Sequence, residues 1–252
     1  MTNASKAYRN REIPENSEIE AMITKASSIP NEYFRLRAKA LVGLLKKFGK
    51  RREEISQLRI QDLEAKDDFL NVRFTLTKKY KRGLSQYIKF LEKENPQALN
   101  KSALEIQAEW KLWRNTEKGY KLKPITSNKR ITVSDPYAGF ISQYLAYLKQ
   151  VYPESKFLFP SGKSIFGNAY VIFPEQHLSG RQLLRLIKHL NRKMWCHLFR
   201  ETKGAEICKD QEMSLQTITL VKNTLDLEKE ETAYRYVKRY GTQTMKPEVI
   251  AS

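Results

Sequence analysis

Residues 194–207 read MWCHLFRETKGAEI. His197 and Arg200 stand three apart, so on a helix they share one face, beside Trp195 and Phe199. Such a pair suits chemistry on an anion. A guanidinium offers a planar fork of donors to a carboxylate or phosphate, and an imidazole exchanges a proton near neutral pH. Taken alone, the stretch fits equally a satisfied histidine beside a solvated arginine. Other stretches carry groups of the same kind. FGKRREEISQLRIQDL presents Arg51 just after Gly49, at the mouth of a helix. KKYKRG gathers Lys78, Lys79, Lys81 and Arg82 in a basic turn, and ETAYRYVKRY sets Tyr234, Tyr236 and Tyr240 among basic residues. Each has a plainer reading too: a solvated helix-start arginine, a basic turn, core or amphipathic tyrosines.

The elements that must position these groups follow from periodicity. RLRAKALVGLLKKFGK spaces Leu41, Leu44, Leu45 and Phe48 as the apolar face of a helix, with Gly49 as its stop. EEISQLRIQDL predicts a short second helix that buries Ile55 and Leu58. FLNVRFTLT alternates Leu70, Val72, Phe74 and Leu76 with polar partners and predicts a half-buried strand. NKRITVS is the returning strand, carrying Lys129 and Arg130. Between them, residues at about 84–120 are helical in pattern, broken at Asn95-Pro96, and are expected to be an insertion. Asp135 caps a helix with Pro136 in its first turn. FLFPSGKS and NAYVIFPEQ are strand or loop. Ser179 with Gln182 forms a capping box for a helix striped by Leu183, Leu186, Ile187, Leu190 and Met194. The helix with His197 and Arg200 comes next, then SLQTITLVKN, then the tyrosine segment. The expected class is α+β, mainly α-helical with one small antiparallel sheet.

The chain has 252 residues and a formal charge of +18, from 46 Lys and Arg against 28 Asp and Glu. That excess points to a polyanionic partner and away from an ordinary metabolic enzyme. An anionic membrane surface is the weaker partner, since no apolar run approaches the roughly 18 residues needed to span a bilayer. The N-terminus is polar and acid-bearing, unlike a signal or transit peptide. Two cysteines and three histidines make no zinc pattern; a reduced, intracellular setting is expected, with no metal or other cofactor.

Taken in order, the stretches resemble the tyrosine recombinase (phage-integrase) family, relatives of type IB topoisomerases. GKRREEISQL is similar to that family's Gly-x-Arg-x-x-Glu-Leu-x-x-Leu box, with Arg51 and Glu54 on the pattern, and CHLFRETKGAEI to its His-x-x-Arg box. The likeness spans roughly residues 30–240. It implies a DNA breaking-rejoining catalytic fold and a site-specific recombinase or integrase that works through a covalent 3′-phosphotyrosyl intermediate. Arg51 and Arg200 would stabilise the phosphate, His197 would assist the tyrosine, and a hairpin lysine, Lys78 or else Lys79, would protonate the leaving 5′ oxygen. Tyr236 is the preferred nucleophile, because ETAYRYVK reads like the family's Thr-Thr-x-x-Tyr-x-His segment; Tyr234 is second. Nine residues before Tyr236 the family carries a histidine or tryptophan, and here stands Leu227; a short insertion would make Lys222 the equivalent. Glu201 departs from the pattern and is given no role.

Further DNA contacts are expected from Arg52, Lys79, Lys81, Arg82, Lys129 and Arg130. The partner implied is double-stranded DNA, with dimer or tetramer assembly on it and a cytoplasmic, nucleoid-associated location. Residues 1–252 are expected to form one catalytic domain with a short tail at 241–252. No N-terminal DNA-clamping domain is expected within it, so a separate clamping partner is possible. The rival readings are a non-catalytic basic DNA-binding protein on the same fold, and a topoisomerase or telomere-resolvase activity.

Overall fold

The computed structural model describes residues 13–76, 82–114, 116–119, 125–164 and 170–241. Lys78, Lys79 and Lys81 lie outside the described residues, as does the tail beyond residue 241. The chain forms two compact units. The first comprises residues 1–73 and 128–252, the second residues 74–127.

In the first unit, α1 (Asn16–Ser27) leads into α2 (Glu32–Phe48). The Asn31 side chain caps α2, accepting from the Phe34 amide at 3.2 Å. The helix stops at Gly49, which takes a left-handed φ of 54° at little cost for a residue without a Cβ. Its apolar face is fully buried at Leu41, Val42, Leu44 and Leu45. The helix packs against α6 (Pro136–Val151), whose stripe of Ile141, Tyr144 and Leu148 is equally buried. Asp135 caps α6 by accepting from the Tyr137 amide at 3.0 Å, with Pro136 in its first turn. α3 (Arg52–Ser56) is shorter than expected. Leu58 is still buried, but the chain after Ser56 leaves the helix and passes through a 3-10 turn at Ile60–Asp62.

β1 (Leu63–Lys66) pairs antiparallel with β2 (Phe69–Thr75), Leu63 opposite Val72. The sheet order is β1-β2-β3, with β3 spanning Thr126–Thr132. β1 was not expected; its sequence, LEAK, alternates over only four residues, and only Leu63 of them is buried. A second antiparallel pair, β4 (Pro160–Ser164) with β5 (Tyr170–His177), resolves the two segments left as strand or loop. α7 (Gly180–Leu190) opens on the Ser179–Gln182 capping box and ends before Met194, which is nonetheless buried.

α8 (Cys196–Cys208), α9 (Leu215–Thr224) and α10 (Glu230–Tyr240) close the first unit. Cys208, Val221, Leu225, Leu227, Ala233, Tyr236 and Val237 form their shared core. Glu230 and Glu231 in the first turn of α10, and Lys238 and Arg239 in its last, suit the helix dipole. Among the described residues, no helix is long and apolar enough to cross a membrane.

The second unit holds α4 (Leu84–Glu94) and α5 (Ala103–Trp113). Its own small core is Tyr87, Leu91, Ala98 and Trp113. Ser102 and Glu105 form a capping box for α5. Arg82, in this unit, accepts the Trp110 indole N–H on its carbonyl at 3.2 Å.

Candidate active site

Arg51 is the N-cap of α3, placed there by the left-handed turn at Gly49. Its guanidinium donates to the carboxylate of Glu54, at 2.8 Å from Nη1, and the Glu54 side chain is fully buried. A short, buried acid thus fixes a quarter-exposed cation. Arg200 lies on α8 and is 2% exposed. Its Nη1 donates to the Gly49 carbonyl at 2.9 Å and its Nη2 to the Leu225 carbonyl. One side chain therefore ties the α2–α3 turn to the end of α9. Burial and the neighbouring Arg51 push the Arg200 guanidinium below its ordinary pKa; a guanidinium stays charged regardless.

Arg51, Arg200 and His197 line one cleft of about 510 Å³, together with Lys50, Arg52 and Lys188. Arg52 is half-exposed and pairs with Glu53 at 2.5 Å. Lys50 forms the cleft's buried floor, at 0% exposure, and pairs with Asp226. Burial pulls its pKa down to about 8, although Asp226 works the other way.

Tyr236 is 8% exposed and belongs to the core of α8, α9 and α10. Its ring lies against Gly204, one turn beyond Arg200. Burial raises its pKa and the charge on Glu201 adds to that; Arg200, by charge and hydrogen bond, and Arg51, by charge, pull the other way. The phenol thus hydrogen-bonds Arg200, and the charges of Arg200 and Arg51 favour its phenolate. Tyr240 donates to Glu201 at 2.6 Å, and burial together with that bond raises its pKa further. Tyr236 is thus the tyrosine bonded to Arg200, whereas Tyr240 is bonded to Glu201.

His197 is half-exposed, with Nε2 3.1 Å from Glu201. Glu201, given no role from sequence, is thus a partner of two expected site elements. The i, i+4 spacing from His197 was the available signal, and only the packing of α10 gives it meaning. Cys196, beside His197, is a free buried thiol pushed up to about 12 by burial.

Lys222 is placed elsewhere. Its Nζ pairs with Glu230 at 2.6 Å, in the first turn of α10, and it does not line the cleft. Leu227, nine residues before Tyr236, is in the core, and Asp226 before it makes the corner with a φ of 48°. Lys129 is drawn to that same corner. It donates to the Asn223 carbonyl at 2.7 Å and lies 3.5 Å from Asp226. Arg130 stacks over Phe69 at 4.8 Å. Both line a second depression, of about 380 Å³, with Lys47 and Lys203. Among the described residues, no three His, Cys, Asp or Glu side chains gather as a metal site would require.

No protein-family model and no curated protein matches the chain. Solved structures do. The chain is similar to XerH site-specific recombinase in a post-cleavage complex with palindromic difH substrate (TM-score 0.57, 12% identity, 94% of this chain and 52% of that one). It is similar to XerH in a pre-cleavage complex with difH (TM-score 0.53, 12% identity, 88% and 49%). XerA recombinase gives a TM-score of 0.52 at 15% identity, over 90% of this chain and 60% of that one. The likeness is one of fold, that of the tyrosine-recombinase catalytic domain, and this chain spans about half the length of the structures it matches.

Proposed function

We propose that this protein is a site-specific DNA recombinase that cleaves and rejoins DNA through a 3′-phosphotyrosyl intermediate. The observation that carries this reading is that Arg51 and Arg200 line one cationic cleft while the buried Tyr236, on a third element, hydrogen-bonds Arg200 from behind it. In the reaction, the Tyr236 phenol oxygen attacks the scissile phosphorus and forms a phosphotyrosyl ester. The 5′ oxygen leaves with the bonding electrons and takes up a proton, which the reading assigns to Lys78. Arg51 and Arg200 hold the nonbridging oxygens, where negative charge builds up. His197 assists proton transfer from the phenol. Attack by a 5′ hydroxyl reverses the sequence and reseals a strand. Bond energy is kept in the ester.

Double-stranded DNA is the proposed partner. The +18 charge supports it, as do neighbours of the same fold whose structures are complexes with difH. Recombination requires more than one copy on the DNA, so assembly there is part of the proposal. The test is incubation with nicked suicide duplexes carrying candidate sites, followed by a denaturing protein gel. A covalent protein–DNA band that requires Tyr236 is expected. DNA binding without any such band would make this a binding protein on the same fold.

A further inference from the structure

Glu201 departs from the family pattern, and its carboxylate engages three side chains beside the cleft. Its Oε1 lies 3.1 Å from His197 Nε2. Its Oε2 accepts the Tyr240 hydroxyl at 2.6 Å and lies 3.4 Å from Arg239 Nη1. His197 is on the same helix, one turn back; Tyr240 and Arg239 are on the last turn of α10. The carboxylate is only 21% exposed. Burial alone would raise its pKa, but the bonds from His197 and Tyr240 and the charges of His197 and Arg239 hold it below the usual range. It is therefore ionised whenever the protein works near neutral pH.

The clamp lies one turn from the proposed nucleophile. Tyr236 and Tyr240 are four apart on α10, with ring centroids 6.1 Å apart. Tyr236 rests on Gly204 of α8, three residues beyond Glu201. Besides its core packing, α10 thus meets α8 through a ring on a glycine and a phenol on a carboxylate. Ala233, Tyr236 and Val237 pack α10 into the shared core, and the Tyr240–Glu201 bond adds a directional polar tie at its last turn. Stability is a poor account of the arrangement. Half-exposed pairs such as His197–Glu201 contribute little to folding, whereas small displacements of a reacting group are costly to rate.

We infer that Glu201 is a positioning residue for strand cleavage: one oxygen holds the His197 ring at the cleft, and the other locks the end of α10 so that Tyr236 presents its phenol to Arg51 and Arg200. The inference rests on the recombinase reading. It also fixes a tautomer. With Nε2–H donating to Glu201, Nδ1 of neutral His197 is left as the acceptor.

Two measurements test it. In single-turnover cleavage of saturating suicide DNA, Glu201→Ala is expected to slow covalent-complex formation roughly 10- to 100-fold while DNA affinity holds within about twofold. Tyr240→Phe is expected to slow it less, and the double variant no more than Glu201→Ala, because both act through one contact. Independently, nitrogen-15 imidazole spectra of the free protein are expected to show the Nε2–H tautomer at His197 in the wild type and in Tyr240→Phe, and a mixture in Glu201→Ala. Wild-type cleavage rate in Glu201→Ala, with an unchanged His197 spectrum, overturns the inference. A wild type that forms no adduct on any site overturns the recombinase reading instead; the spectra then decide whether Glu201 holds the ring.

Discussion

A Cβ added to Gly204 would stand 2.3 Å from Cδ1 of Tyr236 and 2.5 Å from its Cε1. No real Cβ sits so close to a ring, so the glycine is the seat of the proposed nucleophile. Gly204→Ala is expected to push the ring outward, costing about 1–3 kcal/mol from overpacking and lowering covalent-complex formation at least tenfold. The cost is expected to shrink in a Tyr236→Ala background, where the clash is gone. Urea midpoints of the four proteins in that cycle check it. Equal costs in both backgrounds would mean the contact is not what the glycine serves.

Tyr236→Phe removes one oxygen and keeps the packing of α8, α9 and α10. It is expected to bind DNA as the wild type does and to form no covalent band. Tyr234→Phe and Tyr240→Phe are expected to keep the band. A denaturing gel with a labelled suicide substrate reads all three. A band surviving in Tyr236→Phe and lost in Tyr240→Phe would move the nucleophile one turn along α10, onto the Glu201 hydrogen bond.

The two arginines are expected to fail differently. Arg51→Ala removes a partly exposed cation and should slow cleavage about 10²-fold with little change in stability beyond its Glu54 bond. Arg200→Ala should slow cleavage and also destabilise the fold by several kcal/mol, about 1.5–3 for each charge-assisted bond lost to Gly49 and Leu225. Thermal melts beside single-turnover rates separate the two. An Arg200→Ala protein as stable as the wild type would contradict the buried bridge.

Lys50 sets a pH window for stability. Its folded pKa of about 8 lies below the unfolded value of about 10.4. A depressed lysine disfavours the fold while it is charged. Its stabilising share is therefore full above the unfolded value and lost as pH falls through the folded one. The stability of the wild type relative to Lys50→Met is expected to rise between about pH 8 and 10.4, by an amount on the order of 3 kcal/mol. Denaturant melts of both proteins across that range test it. A flat difference would place the titration elsewhere.

DNA binding is expected to weaken steeply with salt, since each phosphate neutralised by Lys or Arg releases counterions. Fluorescence anisotropy from low to physiological ionic strength reads the slope. A flat dependence would argue against a partner held by the +18 charge.

The sequence was most legible where the signals are local. Gly49 ends α2 in the left-handed turn its residue type predicts, Asp135 caps α6, and Ser179 with Gln182 opens α7. Such features depend on a few neighbouring residues. Arg51, His197 and Arg200 were also readable, and they share a cleft. What could not be read depends on partners far along the chain. Nothing local ties Lys50 to Asp226, or seats Tyr236 on Gly204. Lys222 was reached by counting back along α10's approach. In the fold Lys222 pairs with Glu230, a partner eight residues on that counting does not reveal, and Leu227 is in the core.

The burial of Arg200 bears on how this fold can change over evolutionary time. The same guanidinium proposed to hold the phosphate joins Gly49 to Leu225 inside the protein. Selection for a folded chain alone is then enough to retain it. Tyr236 has no such protection, since phenylalanine fills its place. A lineage that abandoned strand cleavage and kept only DNA binding would be expected to lose the tyrosine hydroxyl first and the arginine last. In relatives of this chain, an intact Arg200 is therefore weak testimony to activity, and the residue at position 236 is the one to read.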